Sequence, residues 1–176
     1  MSAVLVEAGP DKGAVWHFGE PVKEQRALEA GTAWADLSHH NIIAVSGADR
    51  LKWLHDLTTQ FVSDLQPGVW MPNMILDAKG HIEFQFNLVD DGTTTFLVLD
   101  PGYSEQLIEY LTKMKFMLRV EVKDASDEYA VLRAPGAPTA IGGPFALVPR
   151  SEVEEMKKTF GGVATQVGTW AMDAER

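Results

Sequence analysis

The 176-residue chain contains no cysteine. Disulfides, thiolate nucleophiles and cysteine-held zinc or iron–sulfur clusters are therefore excluded within these residues. Positive charge is also scarce: 15 Lys and Arg stand against 25 Asp and Glu, a formal net charge of −10. An acidic chain without a basic run repels phosphate backbones, which excludes nucleic acid as a general partner. No apolar run approaches the ~18–20 residues that a membrane span needs, and Met1 to Gly13 lacks the basic start and apolar stretch of a secretion signal. A soluble, cytoplasmic protein with no membrane partner is expected. Familiar chemical signatures are missing too. There is no G-x-x-x-x-G-K-S/T phosphate loop, no G-x-G-x-x-G, no H-E-x-x-H zinc helix and no G-x-S-x-G nucleophile turn.

The rest of the composition is that of a globular protein, 45% hydrophobic and 23% charged. The length suffices for one sizeable domain or two small ones. Residues 1–13 read as a lead-in and Gly13–Pro21 as an aromatic anchor. Val22 to Ala30 reads as a helix closed by Gly31, and Trp34 to Leu37 as a strand ending at Ser38-His39-His40. Asn41 to Ser46 is an apolar strand, after which Ser46-Gly47-Ala48-Asp49 offers the small and acidic residues that start helices. Leu51, Leu54, His55 and Thr58 follow the helical period. Pro67-Gly68 turns the chain into a strand near 69–76, and Asp77-Ala-Lys-Gly80 forms a tight turn.

Between 81 and 88 the alternation is clean. His81, Glu83, Gln85 and Asn87 share one face; Ile82, Phe84, Phe86 and Leu88 share the other, as in a half-buried antiparallel strand. Asp90-Asp91-Gly92 leads into Thr93–Leu99. A helix is expected from Pro101, with Leu107, Tyr110, Leu111 and Met114 as its apolar stripe, then a strand at Leu118–Val122. The β–α–β–β–β–α–β order describes a ferredoxin-like unit with one extra strand. Tyr129–Arg133 is a strand, 134–144 a Gly/Pro loop, Phe145–Val148 a strand and Ser151–Phe160 a helix. Gly168 to Arg176 reads as a helix start without a stop, which leads us to expect a piece of a longer protein.

Residue chemistry alone names no reaction. His39-His40 could ligate a metal or form a hydrogen-bonded turn pair, and neighbours on a strand would diverge. His81 and Glu83 could make an acid–base pair or lie on a solvated sheet face. Asp90-Asp91-Gly92 reads as turn chemistry, and Trp53 and Trp70 as core.

Three segments resemble the family of glycine-cleavage T-protein and its relatives. Trp34-Ala-Asp-Leu-Ser-His-His40 is similar to its D-x-S-H-M stretch. Val45-Ser-Gly-Ala-Asp-Arg-Leu-Lys-Trp-Leu-His-Asp-Leu-Thr-Thr59, with Val62-Ser-Asp-Leu-Gln-Pro-Gly68, resembles V-x-G-x-D-x-x-x-F-L-x-x-L-x-T and V-x-x-L-x-x-G. Ile75-Leu-Asp-Ala-Lys-Gly-His-Ile82 resembles the turn L-N-x-x-G-G-I. Gly13–Pro21 and Phe116–Val122 are further similar to the iron–sulfur-maintenance (YgfZ-type) branch.

The resemblance covers about 13–176 and implies an α+β fold with a ferredoxin-like antiparallel lobe inserted in a second α+β lobe. Residues 1–39 and 126–176 would belong to the outer lobe and 40–125 to the inserted one. The third lobe of the family's ring, and a K-G-C-x-x-G-Q-E motif, would be absent from this piece. It implies a tetrahydrofolate ligand, or a one-carbon derivative, with no metal. By the same resemblance His40, Asn73, Gln85 and Asp100 are candidate folate-binding residues. Paired aspartates of the aminomethyltransferases would fall at Phe84 and Gln85, which supply no carboxylate. The implied role is therefore support of iron–sulfur cluster assembly or repair, with iron–sulfur client proteins as partners. The alternatives are an active aminomethyltransferase and a non-catalytic interaction module. An acid such as Glu83 at the pterin cavity would tell against the first. Lobe surface exposed in such a piece would favour pairing with a second copy.

Overall fold

The computed structural model describes residues 2–133 and 145–173, and the loop expected at 134–144 lies outside them. Among the described residues, 2–40, 127–133 and 145–173 form one unit and 41–126 a second. Unit 1 begins with the antiparallel pair β1 (Val4–Leu5) and β2 (Val15–His17), then α1 (Pro21–Glu29) and β3 (Ala33–Asp36). Pro21 occupies the first turn of α1, where its missing N–H costs nothing. Gly31 ends the segment at φ +68°, as the sequence suggests.

Unit 2 runs through β4 (Asn41–Ser46), α2 (Arg50–Leu57), β5 (Met71–Leu76), β6 (Ile82–Asp90), β7 (Thr94–Leu99), α3 (Ser104–Met114) and β8 (Glu121–Asp124). Its sheet is antiparallel throughout, in the order β5-β6-β7-β4-β8. The stretch β6-β7-β4-β8 keeps the ferredoxin-like order, and β5 adds the extra edge strand. Helical residues Leu54, Leu107 and Leu111 join Ile43, Val45, Phe86, Leu88 and Leu97 in one core. Trp53 and Trp70 are buried at 4% and 7% exposure, as core residues.

The chain then returns to unit 1 with β9 (Tyr129–Arg133), β10 (Phe145–Pro149), α4 (Val153–Gly161), β11 (Thr165–Val167) and α5 (Trp170–Asp173). The sheet order is β10-β9-β3-β11, with β11 parallel to β3. Buried Glu24 ties its ends together. Its Oε1 accepts from the Phe18 and Glu20 N–H groups, and its Oε2 accepts from Gly168 N at 3.0 Å. The architecture is thus α+β with antiparallel sheets, apart from the one parallel pair.

Two boundaries differ from expectation for identifiable reasons. Helix α3 starts at Ser104 because Pro101-Gly102 makes a turn, with Gly102 at φ +90°. Strand β8 starts three residues late because Arg119 is already engaged. Its N–H and guanidinium donate to the Asp49 carboxylate at 2.7–3.0 Å. Its carbonyl oxygen also approaches Gly47 so closely that a Cβ there would lie 2.0 Å away. Asp49 therefore does not cap α2 with its side chain. The Arg119 hydrogen bonds hold its carboxyl down to about 2.

Asp90 is the best-engaged carboxylate of unit 2. Arg50 donates from Nε to Oδ2 and from Nη2 to Oδ1, both at 2.8 Å. Thr95 Oγ1 and the Gly92 N–H complete the set at 2.5 and 2.7 Å. Burial pushes the Asp90 carboxyl up, but these bonds outweigh it and hold it below its ordinary 3.8. Removing one partner of a buried pair strands the other charge, so Arg50→Ala should cost about 3 kcal/mol in urea unfolding. A depressed folded value means the stabilisation is complete well above 3.8 and is lost as pH falls below it. Asp90→Asn should flatten this acid limb.

Candidate functional site

Strand β6 is longer than its neighbour. Its ladder with β7 pairs Asn87 with Val98 and continues to Asp90 with Thr95, whereas its ladder with β5 reaches back to Ile82. Carried two steps further, the β7 register would set Gln85 against Asp100. The chain leaves the sheet before that, at Leu99, and the Gly102 N–H is held by Asn41 Oδ1 at 2.8 Å. A gap results beside the start of β6. It is a cavity of about 200 Å³ lined by Ile82, Glu83, Phe84, Gln85, Leu99, Asp100 and Tyr103.

The lining combines two carboxylates, one neutral amide, a phenol and three apolar side chains. Phe84 turns its ring toward Tyr110 of α3, with centroids 5.7 Å apart. Burial raises the Tyr110 phenol, and the Glu83 charge raises it further. His81 does not pair with Glu83. Its Nδ1 lies 2.9 Å from Asp77 Oδ2, while Asp77 Oδ1 accepts from the Lys79 and His81 N–H groups. The His81 hydrogen bond is the largest cause of the lowered Asp77 carboxyl. Gly80 takes the positive φ that this turn requires, +86°.

The four residues singled out by sequence are distributed unevenly. Gln85 and Asp100 line one cavity. Asn73 is buried at 1% exposure, and its side chain serves the backbone around the end of α2. Its Oδ1 accepts from Thr59 Oγ1, Gln60 N and Met74 N, and its Nδ2 donates to Thr58 Oγ1 at 2.8 Å. His40 lies in unit 1, in the turn that follows β3. Here the strand argument about His39 and His40 fails, because residues 38–40 are turn and bend, and the two rings meet at 4.7 Å. Glu83 and Tyr103 also line the cavity without standing among those four. For Glu83 a signal existed, since it shares the polar face of β6 with Gln85. Tyr103 had none.

A profile described as the GCVT N-terminal domain matches residues 3–144. Among solved structures, the crystal structure of glycine cleavage system aminomethyltransferase T from Bartonella henselae superposes with a TM-score of 0.75 at 16% identity. The match takes in 96% of this chain and 56% of that one, so the chain spans little more than half its length. At this identity the likeness establishes the fold: mixed α+β, with antiparallel sheets, of the aminomethyltransferase type. No helix among the described residues is long and apolar enough to cross a membrane.

The Asn73 bonds carry a prediction of their own. Asn73→Ala leaves buried donors without an acceptor, at about 1–3 kcal/mol for an unsatisfied group. Urea unfolding of the variant should show a loss in that range.

Proposed function

Since this chain belongs to the GCVT N-terminal domain family, we propose that it binds tetrahydrofolate, with the pterin ring in the cavity beside β6. The observation that carries this is the meeting of Gln85 and Asp100, 15 positions apart, on one cavity of the family's fold. A pterin presents an amide edge: a ring carbonyl, a ring N–H and an exocyclic amine. The Gln85 amide offers a donor and an acceptor for such an edge, and a carboxylate accepts paired N–H groups. Asp100 and Glu83 are the carboxylates of the lining.

Size and charge both favour the ring over the tail. About 200 Å³ is below the roughly 300–1,000 Å³ of pockets that take whole drug-sized ligands. One ring system fits, and the rest of folate stays outside. Two carboxylates in the lining repel the anionic glutamate tail, so the tail runs away from residues 83 and 100. Bound folate would supply a one-carbon carrier. The chain's own groups bind and orient it. Neither His40, which lies in unit 1, nor Asn73, whose side chain is engaged within unit 2, is needed for this reading.

For the finer role we favour support of iron–sulfur proteins over aminomethyl transfer, because Phe84 and Gln85 stand where the resemblance puts catalytic aspartates. One observation favours transfer instead: Glu83 does line the cavity. Its side chain is exposed, however, and water screens a charge so placed more than it would an enclosed one. Glu83 is thus poorly suited to stabilise a transient cation.

Anaerobic titration with tetrahydrofolate tests the binding. Saturable binding is expected, weakened about tenfold or more by Gln85→Leu, which removes amide hydrogen bonds, and by Asp100→Ala, which removes charge-assisted ones. No binding at near-millimolar ligand would refute it. Incubation with an aminomethyl-loaded carrier protein should yield no methylenetetrahydrofolate. Turnover that Glu83→Gln abolishes would transfer the assignment to the aminomethyltransferases.

A further inference from the structure

Outside the cavity of unit 2, the described residues hold one group of mixed metal-ligating side chains. Asp11, His39 and His40 each present a ligand atom, and the three atoms lie within 4.8 Å of one another. All three belong to unit 1. His39 Nε2 stands 3.0 Å from Asp11 Oδ1, and the His40 ring meets the His39 ring at 70°, centroids 4.7 Å apart. Asp11 comes from the turn between β1 and β2, 28 positions before His39. The convergence is therefore made by folding and not by sequence proximity.

We propose that Asp11, His39 and His40 form a binding site for a divalent transition-metal ion of the zinc or iron(II) class. Two imidazoles and one carboxylate are a donor set for such borderline ions, unlike the all-oxygen sets of calcium and magnesium. Metal–ligand bonds of about 2.0–2.2 Å put neighbouring ligand atoms roughly 3–3.5 Å apart. The His39–Asp11 spacing of 3.0 Å already meets that requirement, and the widest separation in the group is no more than 4.8 Å. His39 is 24% and Asp11 35% exposed at the side chain, so an ion has access from solvent.

The turn that carries the histidines is built before any ion arrives. Asp36 Oδ1 accepts from the Ser38 N–H and hydroxyl at 2.9 and 2.5 Å, and Lys157 holds the other Asp36 oxygen at 2.7 Å. Arg150 Nη2 donates to the Ser38 carbonyl, and the His40 N–H donates to the Leu37 carbonyl. These bonds fix the backbone at 36–40, so binding has to order only three side chains. Pre-ordering of this kind reduces the entropy that binding costs. Three protein ligands leave at least one coordination position open, which is the pattern of reactive sites and not of closed structural ones. The site makes no use of the folate cavity and stands or falls separately from it.

The test uses the untagged chain, freed of metal by a chelator and titrated with Co²⁺ alone, then with Zn²⁺. One equivalent of Co²⁺ should bind, with visible ligand-field bands that Zn²⁺ bleaches, and Zn²⁺ should raise the melting temperature. His39→Ala and His40→Ala should each abolish the bands, and Asp11→Asn should weaken binding at least about tenfold. His81→Ala, an exposed histidine of unit 2, should change nothing. Should a histidine variant fail to fold, the milder His40→Asn must still lose the bands. Absence of stoichiometric binding by the parent chain, or bands that survive loss of either histidine, would overturn the proposal.

Discussion

The register between β6 and β7 is the constraint on which unit 2 depends, and the Asp90 carboxylate holds it. Asp90 sits at the end of β6 and takes hydrogen bonds from α2 through Arg50, from the hairpin turn through Gly92, and from β7 through Thr95. A carboxylate at 1% exposure cannot stay charged without such partners, so the three elements are locked in one arrangement. Slipping the strand by one residue would move every side chain to the opposite face. Gln85 and Glu83 would then enter the core, and Phe84 and Phe86 would face water. The cavity is a downstream product of this lock. β7 ends while β6 continues, and the pair that would have closed the sheet at Gln85 and Asp100 is never made.

Apolar packing supplies the stiffness behind that geometry. The buried set of Phe86, Leu88 and Leu97 with Leu107 and Leu111 fills the side of the sheet covered by the helices. Along β6 burial rises from exposed Ile82 to buried Phe86, Leu88 and Val89. The strand is thus anchored at one end and open at the other, the end where a ligand can be received. Polar groups close to the opening are mostly used locally. His81 belongs to Asp77 and Asn73 to the α2 terminus, and Glu83, Gln85, Asp100 and Tyr103 form the polar part of the lining.

Unit 1 is arranged around a different device. Glu24, buried in α1, accepts backbone N–H groups from residues 18, 20 and 168 and so binds segments from both ends of the chain. Gly168 is required at that junction, since a Cβ would lie 2.1 Å from the Trp16 carbonyl oxygen. The turn after β3 is braced by Asp36, Lys157 and Arg150 in the same manner, with side chains from distant segments satisfying a short stretch of backbone.

Much of this was legible in the amino-acid order. The strands Asn41–Ser46 and Tyr129–Arg133, the alternation that became β6, the Gly80 turn and the buried Trp53 and Trp70 follow from local burial patterns. Periodicity records which side of an element meets the core, and that information is carried by near neighbours. Gln85 was legible as a polar residue on an otherwise half-buried strand. Asp100 was named only through the family resemblance, and its meeting with Gln85 on one cavity depends on where β7 stops. The start of α3 at Ser104 is not legible, because Pro101 suits a turn and a helix N-terminus equally. Only the folded chain showed that Asn73 is fully engaged, that Asp11 reaches His39, and that His39 and His40 converge in a turn when a strand would have parted them. Local sequence determines which face of each element is apolar. Which polar side chains meet is decided by contacts between residues far apart in the chain, and no local period encodes those.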